Sequence, residues 1–214
     1  MSYDDVQAKQ RYMKDYFDAL DQRIGFTSEL NAKGHRHEAM LLCCCYIEGI
    51  ANYRAQNCDT SSAKNFCETL TQHGGEPVFR LVFPRRALEH FPWGSENPAI
   101  ASSLKLALES LANEEAFTLD EVVGRLQPSM AAKAIEFLKS EAWRATAAFI
   151  VYERMRSRLV HWLSGPDYFT FPTTQHQGTR IPDIGFQMLH DSLSRIASHV
   201  RRNSLESGEW FDCD

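Results

Sequence analysis

The chain has 214 residues, 43% of them hydrophobic and 24% charged, with a formal net charge of -5 at neutral pH. That length fits one sizeable core and is short for two, and the composition excludes a disordered or fibrous protein. The negative balance argues against a general nucleic-acid coat protein, because phosphate binding depends on clustered Lys and Arg, although a local patch can serve. No apolar run approaches the roughly 20 residues a membrane span needs. The start Met1-Ser2-Tyr3-Asp4-Asp5 is too acidic for a signal peptide, so a cytoplasmic protein with no membrane partner is expected.

From Tyr3 to Arg23, the residues Val6, Tyr12, Met13, Tyr16, Phe17 and Leu20 recur with helical spacing, and Gly25-Phe26 supplies a stop. Thr27 or Ser28 then caps a second helix, or two joined near Gly34, running from about Glu29 to Asn57. Its centre from Met40 to Ile50 is apolar on most sides, which predicts burial. Ser61 or Ser62 is the expected N-cap of a short helix through Phe66 and Leu70, ended by Gly74-Gly75. Pro77 restarts the chain. Pro84 and Pro92 then limit the stretch from Val78 to Gly94 to short helical turns, with a strand from Val78 to Phe83 as the alternative. Ala99 to Leu111 predicts a helix, and Thr118-Leu119-Asp120-Glu121 opens another that ends before Pro128.

From Ser129, the residues Met130, Ala134, Ile135, Leu138, Ala142, Phe149, Tyr152, Met155, Leu159 and Trp162 sustain helical spacing to Leu163, predicting the longest helix of the protein. Gly165-Pro166 stops it, and the aromatic loop Tyr168-Phe169-Thr170-Phe171-Pro172 is expected to fold back over the bundle. Asp183 to Arg202 carries an amphipathic final helix, and residues 203–214 form a polar, acidic tail expected to fray. The predicted fold class is all-α, a bundle of about five to seven helices forming a single domain over residues 1–214.

The six cysteines do not read as a disulfide framework. Cys43, Cys44 and Cys45 are consecutive in an apolar helical stretch and behave as small reduced hydrophobes. Cys58 and Cys67 lack a second pair at ligand spacing, and His35 with His37 lacks partners nearby, so neither a metal nor a cofactor is expected. His73, His90, His176, His190 and His199 show no convergent neighbour in the sequence and receive no role.

The stretch from Tyr152 to Trp162 is the one place where helical periodicity and a chemically capable set of side chains coincide. Ala148, Tyr152, Met155, Leu159 and Trp162 form an inward face, flanked by Arg154, Arg156, Arg158 and His161 with only Glu153 opposing. RNA carries its own nucleophile, the 2′-hydroxyl beside each phosphate, so a nuclease needs one group to move a proton and one to stabilise charge on phosphorus. His161, with an ordinary pKa near ~6.5, suits the first role, and an arginine fork suits the second. On a regular helix, residues five apart lie about 140° apart, whereas Arg154, Arg158 and His161 share a face, so geometry alone favours Arg154 and Arg158.

The segment Arg156-Ser157-Arg158-Leu159-Val160-His161 resembles the R-x4-H signature of HEPN domains, α-helical bundles found in many prokaryotic RNases and toxins. The Leu-Val-His ending, the entry through Tyr152, the loop from Ser164 to Pro182 and the final helix are also similar. The resemblance implies Arg156 and His161 as the catalytic pair, with Arg154 and Arg158 kept as phosphate contacts. It further implies metal-independent cleavage of RNA, a homodimer that brings two motifs together, and an antitoxin or other regulatory protein partner. Ser157 stands where members often carry Asn or Asp, and affects how Arg156 is positioned. Glu48, on the apolar second helix, is either an acidic group orienting Arg156 or His161 across the bundle or an edge position facing water.

Three functions stay open on sequence alone. One is a HEPN-type RNA endonuclease serving as a toxin or defence effector. Another is a catalytically silent HEPN-like dimer for RNA binding or protein interaction, which the acidic net charge and Ser157 favour. The last is a plain all-α adaptor, in which Arg156 and His161 face apart.

Overall fold

The computed structural model describes residues 3–55, 60–112, 115–157, 169–171 and 173–211, with backbone alone at 3–5 and 155–157. The fold is all-α. Among the described residues there are nine α-helices, where about five to seven were expected: α1 (Tyr3–Ala32), α2 (Arg36–Arg54), α3 (Ser62–His73), α4 (Pro84–His90), α5 (Pro98–Leu111), α6 (Leu119–Leu126), α7 (Ala132–Glu141), α8 (Ala147–Val151) and α9 (Phe186–Ser207). A short hairpin pairs β1 (Gln175–His176) with β2 (Thr179–Arg180). The sequence reads as one domain, and the chain divides into two compact units. The first comprises Met1–Gly75, Tyr152–Tyr168 and Ile184–Asp214, and the second Glu76–Val151 and Phe169–Asp183.

In the first unit α1 packs on α2 and α9, while α3 packs on α2 and α9. Met13, Phe17, Leu20 and Ile24 of α1 are buried, as are Met40, Cys43, Cys44, Ile47 and Ile50 of α2. The expected stop at Gly25 does not occur. An internal glycine costs a helix about 1 kcal/mol, less than the burial of Phe17, Leu20 and Ile24 before it and the partial burial of Leu30 beyond it return. Thr27 is accordingly no cap: it is fully buried within α1 and donates through Oγ1 to the Ile24 carbonyl at 2.7 Å. The helix ends instead at Gly34, whose φ of 89° allows the Gly34 and His35 amides to donate back to Asn31 and Leu30 in a Schellman turn.

Ser61 caps α3 as predicted, its side chain accepting from the Lys64 amide at 3.3 Å. The final helix continues past Arg202 to Ser207 and stops at Gly208, φ 72°. The tail is therefore packed up to Phe211 rather than frayed. Phe211 is buried and stacks on Tyr53 with ring centroids 4.6 Å apart, and Tyr16 meets it edge-on at 5.6 Å. Those rings supply the burial that a polar composition concealed.

The second unit gathers Val82, Ala87, Phe91, Leu104, Leu108, Phe117, Val122 and Leu138 into one core. Residues 78–83 are not a strand. A 3-10 turn over Pro77–Arg80 precedes Val82, which bridges on its own to Phe117 and Thr146. That bridge also explains why residues 129–163 do not form one long helix. The Phe83 amide donates to the Ala145 carbonyl at 2.9 Å and the Ala147 amide to the Leu81 carbonyl at 3.1 Å, holding Thr146 extended at φ -82°, ψ 160°. Thr146 then caps α8, its Oγ1 accepting from the Phe149 amide at 3.2 Å. Apolar residues keep helical spacing across a point where the backbone resets, and α1, with 30 residues, is the longest helix described.

Phe169 and Phe171 of the aromatic loop are buried, Phe171 stacking on Phe83 at 5.4 Å, while Tyr168 and Pro172 lie outside the described residues. The β hairpin turns through Gln177 and Gly178, both with positive φ (50° and 76°), the pattern of a type I′ turn.

Candidate functional site

The predicted motif begins in a π turn, Tyr152–Ser157, that packs on α2 and α3 in the first unit. Tyr152 anchors it. Its ring lies 5.4 Å from that of Phe66, and its hydroxyl donates to the Glu48 carboxylate at 3.5 Å. Glu48 is only 8% exposed, so it is no water-facing edge position. A carboxylate at that depth needs donors, and the turn that opens the motif supplies one.

A π turn closes i→i+5 hydrogen bonds and is wound more widely than an α-helix, so residues five apart within it stand nearly over one another. The backbone of Arg156 belongs to this turn, which ends at Ser157. Arg158 and His161 lie outside the described residues, as do the side chains of Arg156 and Ser157. Of the predicted site residues, Glu48 and Arg154 are placed by their side chains: Glu48 is buried against Tyr152, and Arg154 is exposed to solvent.

Histidines without an apparent neighbour in the sequence have neighbours in the fold. His73, at the end of α3, and His199, on α9, stack at 4.5 Å with ring planes 21° apart. Arg202 donates to Nδ1 of His199 at 3.3 Å. Arg54, at the end of α2, donates to the Thr69 hydroxyl at 3.1 Å. Burial first, then the charge of Arg54 and the proximity of His199, lower the pKa of His73 to about 4. The two histidines lie on separate helices far apart in the chain, so no spacing rule reveals the pair.

Two further clusters were also invisible. In the second unit Glu121 accepts from Gln177 at 2.6 Å, from the Thr118 amide at 2.7 Å, and contacts His176 at 2.9 Å. The Gln177 bond foremost, then the Thr118 amide, pull its carboxyl down to about 2. The capping box Thr118/Glu121 was legible, but its extension to the hairpin was not. In the first unit Ser28 meets His190 Nε2 at 2.9 Å, while Asp191 lies 3.7 Å from Nδ1. This has the order of a nucleophile, base and orienting acid, yet Ser28 sits within α1, where backbone amides are already bonded along the helix. It therefore lacks the free N–H pair that acyl transfer uses.

Burial raises the thiol of Cys43 to about 12 and those of Cys44 and Cys67 well above their ordinary value, which removes them as nucleophiles. All three are free thiols. Among the described residues no three His, Cys, Asp or Glu side chains gather as metal ligands, and no helix is long and apolar enough to cross a membrane.

No family model, curated protein or solved structure matches this chain. The functional reading therefore rests on the motif residues and the turn that carries them.

Proposed function

We propose that the chain is a metal-independent RNA endonuclease of the HEPN kind, acting as a toxin or defence effector. The observation that carries this reading is the R-x4-H pair Arg156 and His161 on a segment that opens in a π turn and is braced through Tyr152 against buried Glu48.

In the proposed reaction the 2′-hydroxyl attacks the adjacent phosphorus and the bond to the 5′-oxygen breaks, leaving a 2′,3′-cyclic phosphate and a 5′-hydroxyl. His161 takes or gives the proton, and Arg156 stabilises charge on the phosphate oxygens with its planar fork. Arg154, which is exposed, and Arg158 contact flanking phosphates. A homodimer brings two motifs to one groove, and a regulatory partner of antitoxin type holds the activity in check. A second reading, a catalytically silent RNA-binding or protein-interaction dimer, is favoured by the net charge of -5.

Cleavage of a mixed RNA in EDTA by wild type and by folded His161→Ala decides between them. The nuclease predicts activity in wild type and a loss of roughly 10²- to 10⁴-fold in the variant. RNA binding without cleavage by either protein selects the silent module.

A further inference from the structure

The stacked pair His73 and His199 sits among arginines in a chain that is acidic overall. Arg54 and Arg202 have uncharged partners, the Thr69 hydroxyl and the His199 imidazole. His199 has donors on both sides, Arg202 at 3.3 Å from Nδ1 and the Asn203 Nδ2 at 3.5 Å from Nε2, and a neutral imidazole accepts from only one of them. Two buried nitrogens, Nε of Arg54 and Nε2 of His73, have no hydrogen-bond partner among the described residues. The dipole of α2 accounts for the charge of Arg54 at its last turn, while His73 stands neutral at the last turn of α3. That dipole does not account for bringing His199 and Arg202 of α9 onto them. Basic groups with unmet donors, hydrogen-bonded among the described residues to neutral partners, are the arrangement an anion completes, and Glu68, which lines a recess with Arg54, is the acid such an anion has to outcompete.

We propose that Arg54, His73, His199 and Arg202 form a binding site for a phosphate-type oxyanion, and, resting on the nuclease reading above, that its occupant is a backbone phosphodiester of the RNA. The planar guanidinium groups match two oxygens of such an anion, and the imidazoles add N–H donors. The bound charge offsets the mutual repulsion of the cluster, so His73 protonates more readily when the site is filled.

The test is an NMR titration of the histidine side chains in the full-length protein, first with inorganic phosphate and then with a short single-stranded RNA. Saturable movement of the His73 and His199 signals with phosphate, an upward shift of the His73 pKa, and loss of both in Arg54→Gln and in the more accessible Arg202→Gln are expected. RNA that moves the same signals and is displaced by phosphate assigns the phosphodiester, whereas a response to phosphate alone assigns a site for free phosphate. Imidazoles unmoved by either titrant overturn the site. RNA cleavage that proceeds with both imidazoles unmoved rejects this site and leaves the nuclease standing, and phosphate binding by a protein that cleaves nothing rejects the nuclease alone.

Discussion

The hydroxyl of Tyr152 reaches the carboxylate of Glu48 at 3.5 Å across 104 positions of sequence, tying the opening turn of the motif to the buried face of α2. Tyr152→Phe keeps the ring against Phe66 and removes one donor from a buried acid. The expected loss is about 1 kcal/mol, read from urea unfolding. A Tyr152→Phe protein as stable as wild type would mean that this long contact contributes nothing and that other groups satisfy Glu48.

Thr118 and Glu121 cap α6 reciprocally, and Glu121 also binds the β hairpin through Gln177 and His176. Thr118→Ala is expected to cost about 1 kcal/mol. The folded pKa of Glu121, about 2, lies below its ordinary 4.5, so the carboxylate contributes stability above pH 4.5 that is lost as pH falls from 4.5 toward 2. Solvent screening at this half-buried carboxylate keeps the effect modest. Glu121→Gln should flatten the thermal midpoint over that window, and an unchanged slope would rule the linkage out.

His73 acts over a different window. Its folded pKa of about 4 lies below the ordinary 6.5, so the neutral ring is favoured by the fold. The associated stability is complete above 6.5 and is lost as pH falls from 6.5 toward 4. Replacing Arg54 by Gln removes one of the causes and should shallow this step, measured as thermal midpoint against pH. Wild type is expected to lose stability in two stages on acidification, and a single stage below 4.5 would remove His73 from the account.

Glycine replacements separate backbone strain from crowding. Gly208 has φ 72° with open space around it, so Gly208→Ala should cost about 1–2 kcal/mol for the left-handed conformation alone. Gly75 has φ 82°, and an added Cβ would overlap the Arg195 guanidinium and approach its Cδ to 2.9 Å. Gly75→Ala must also displace Arg195 from the Gly74 carbonyl, and should destabilise more than Gly208→Ala in the same urea assay. Equal losses would show that Arg195 moves aside freely.

The parts legible in the sequence were those set by neighbours along the chain. Ser61, the Thr118 box and the amphipathic α9 are local signals, and each acts where expected. Gly25 misled because burial of Met13, Phe17 and Ile24 outweighs one helix-weakening residue. Thr146 misled because its extended backbone is held by Leu81 and Phe83, more than sixty positions away. At the site, the sequence left Glu48 open between a buried acid and a water-facing edge; its burial, its contact with Tyr152 and the stacking of His73 on His199 depend on helix packing that spacing does not encode.

The first unit is assembled from three separated stretches of chain, the last beginning at Ile184, whereas the second needs nothing beyond Asp183. During synthesis α1, α2 and α3 emerge before the rest, yet the surfaces they present to α9 stay uncovered until that helix follows. The second unit has all its residues available earlier. Nascent chains halted after Asp183 should therefore protect the core around Leu104 and Leu138 from proteases while leaving the three N-terminal helices open to cleavage. Any site built on the first unit, the proposed one included, is then completed only after α9 has been made, because that helix closes the surfaces of the three helices that precede it.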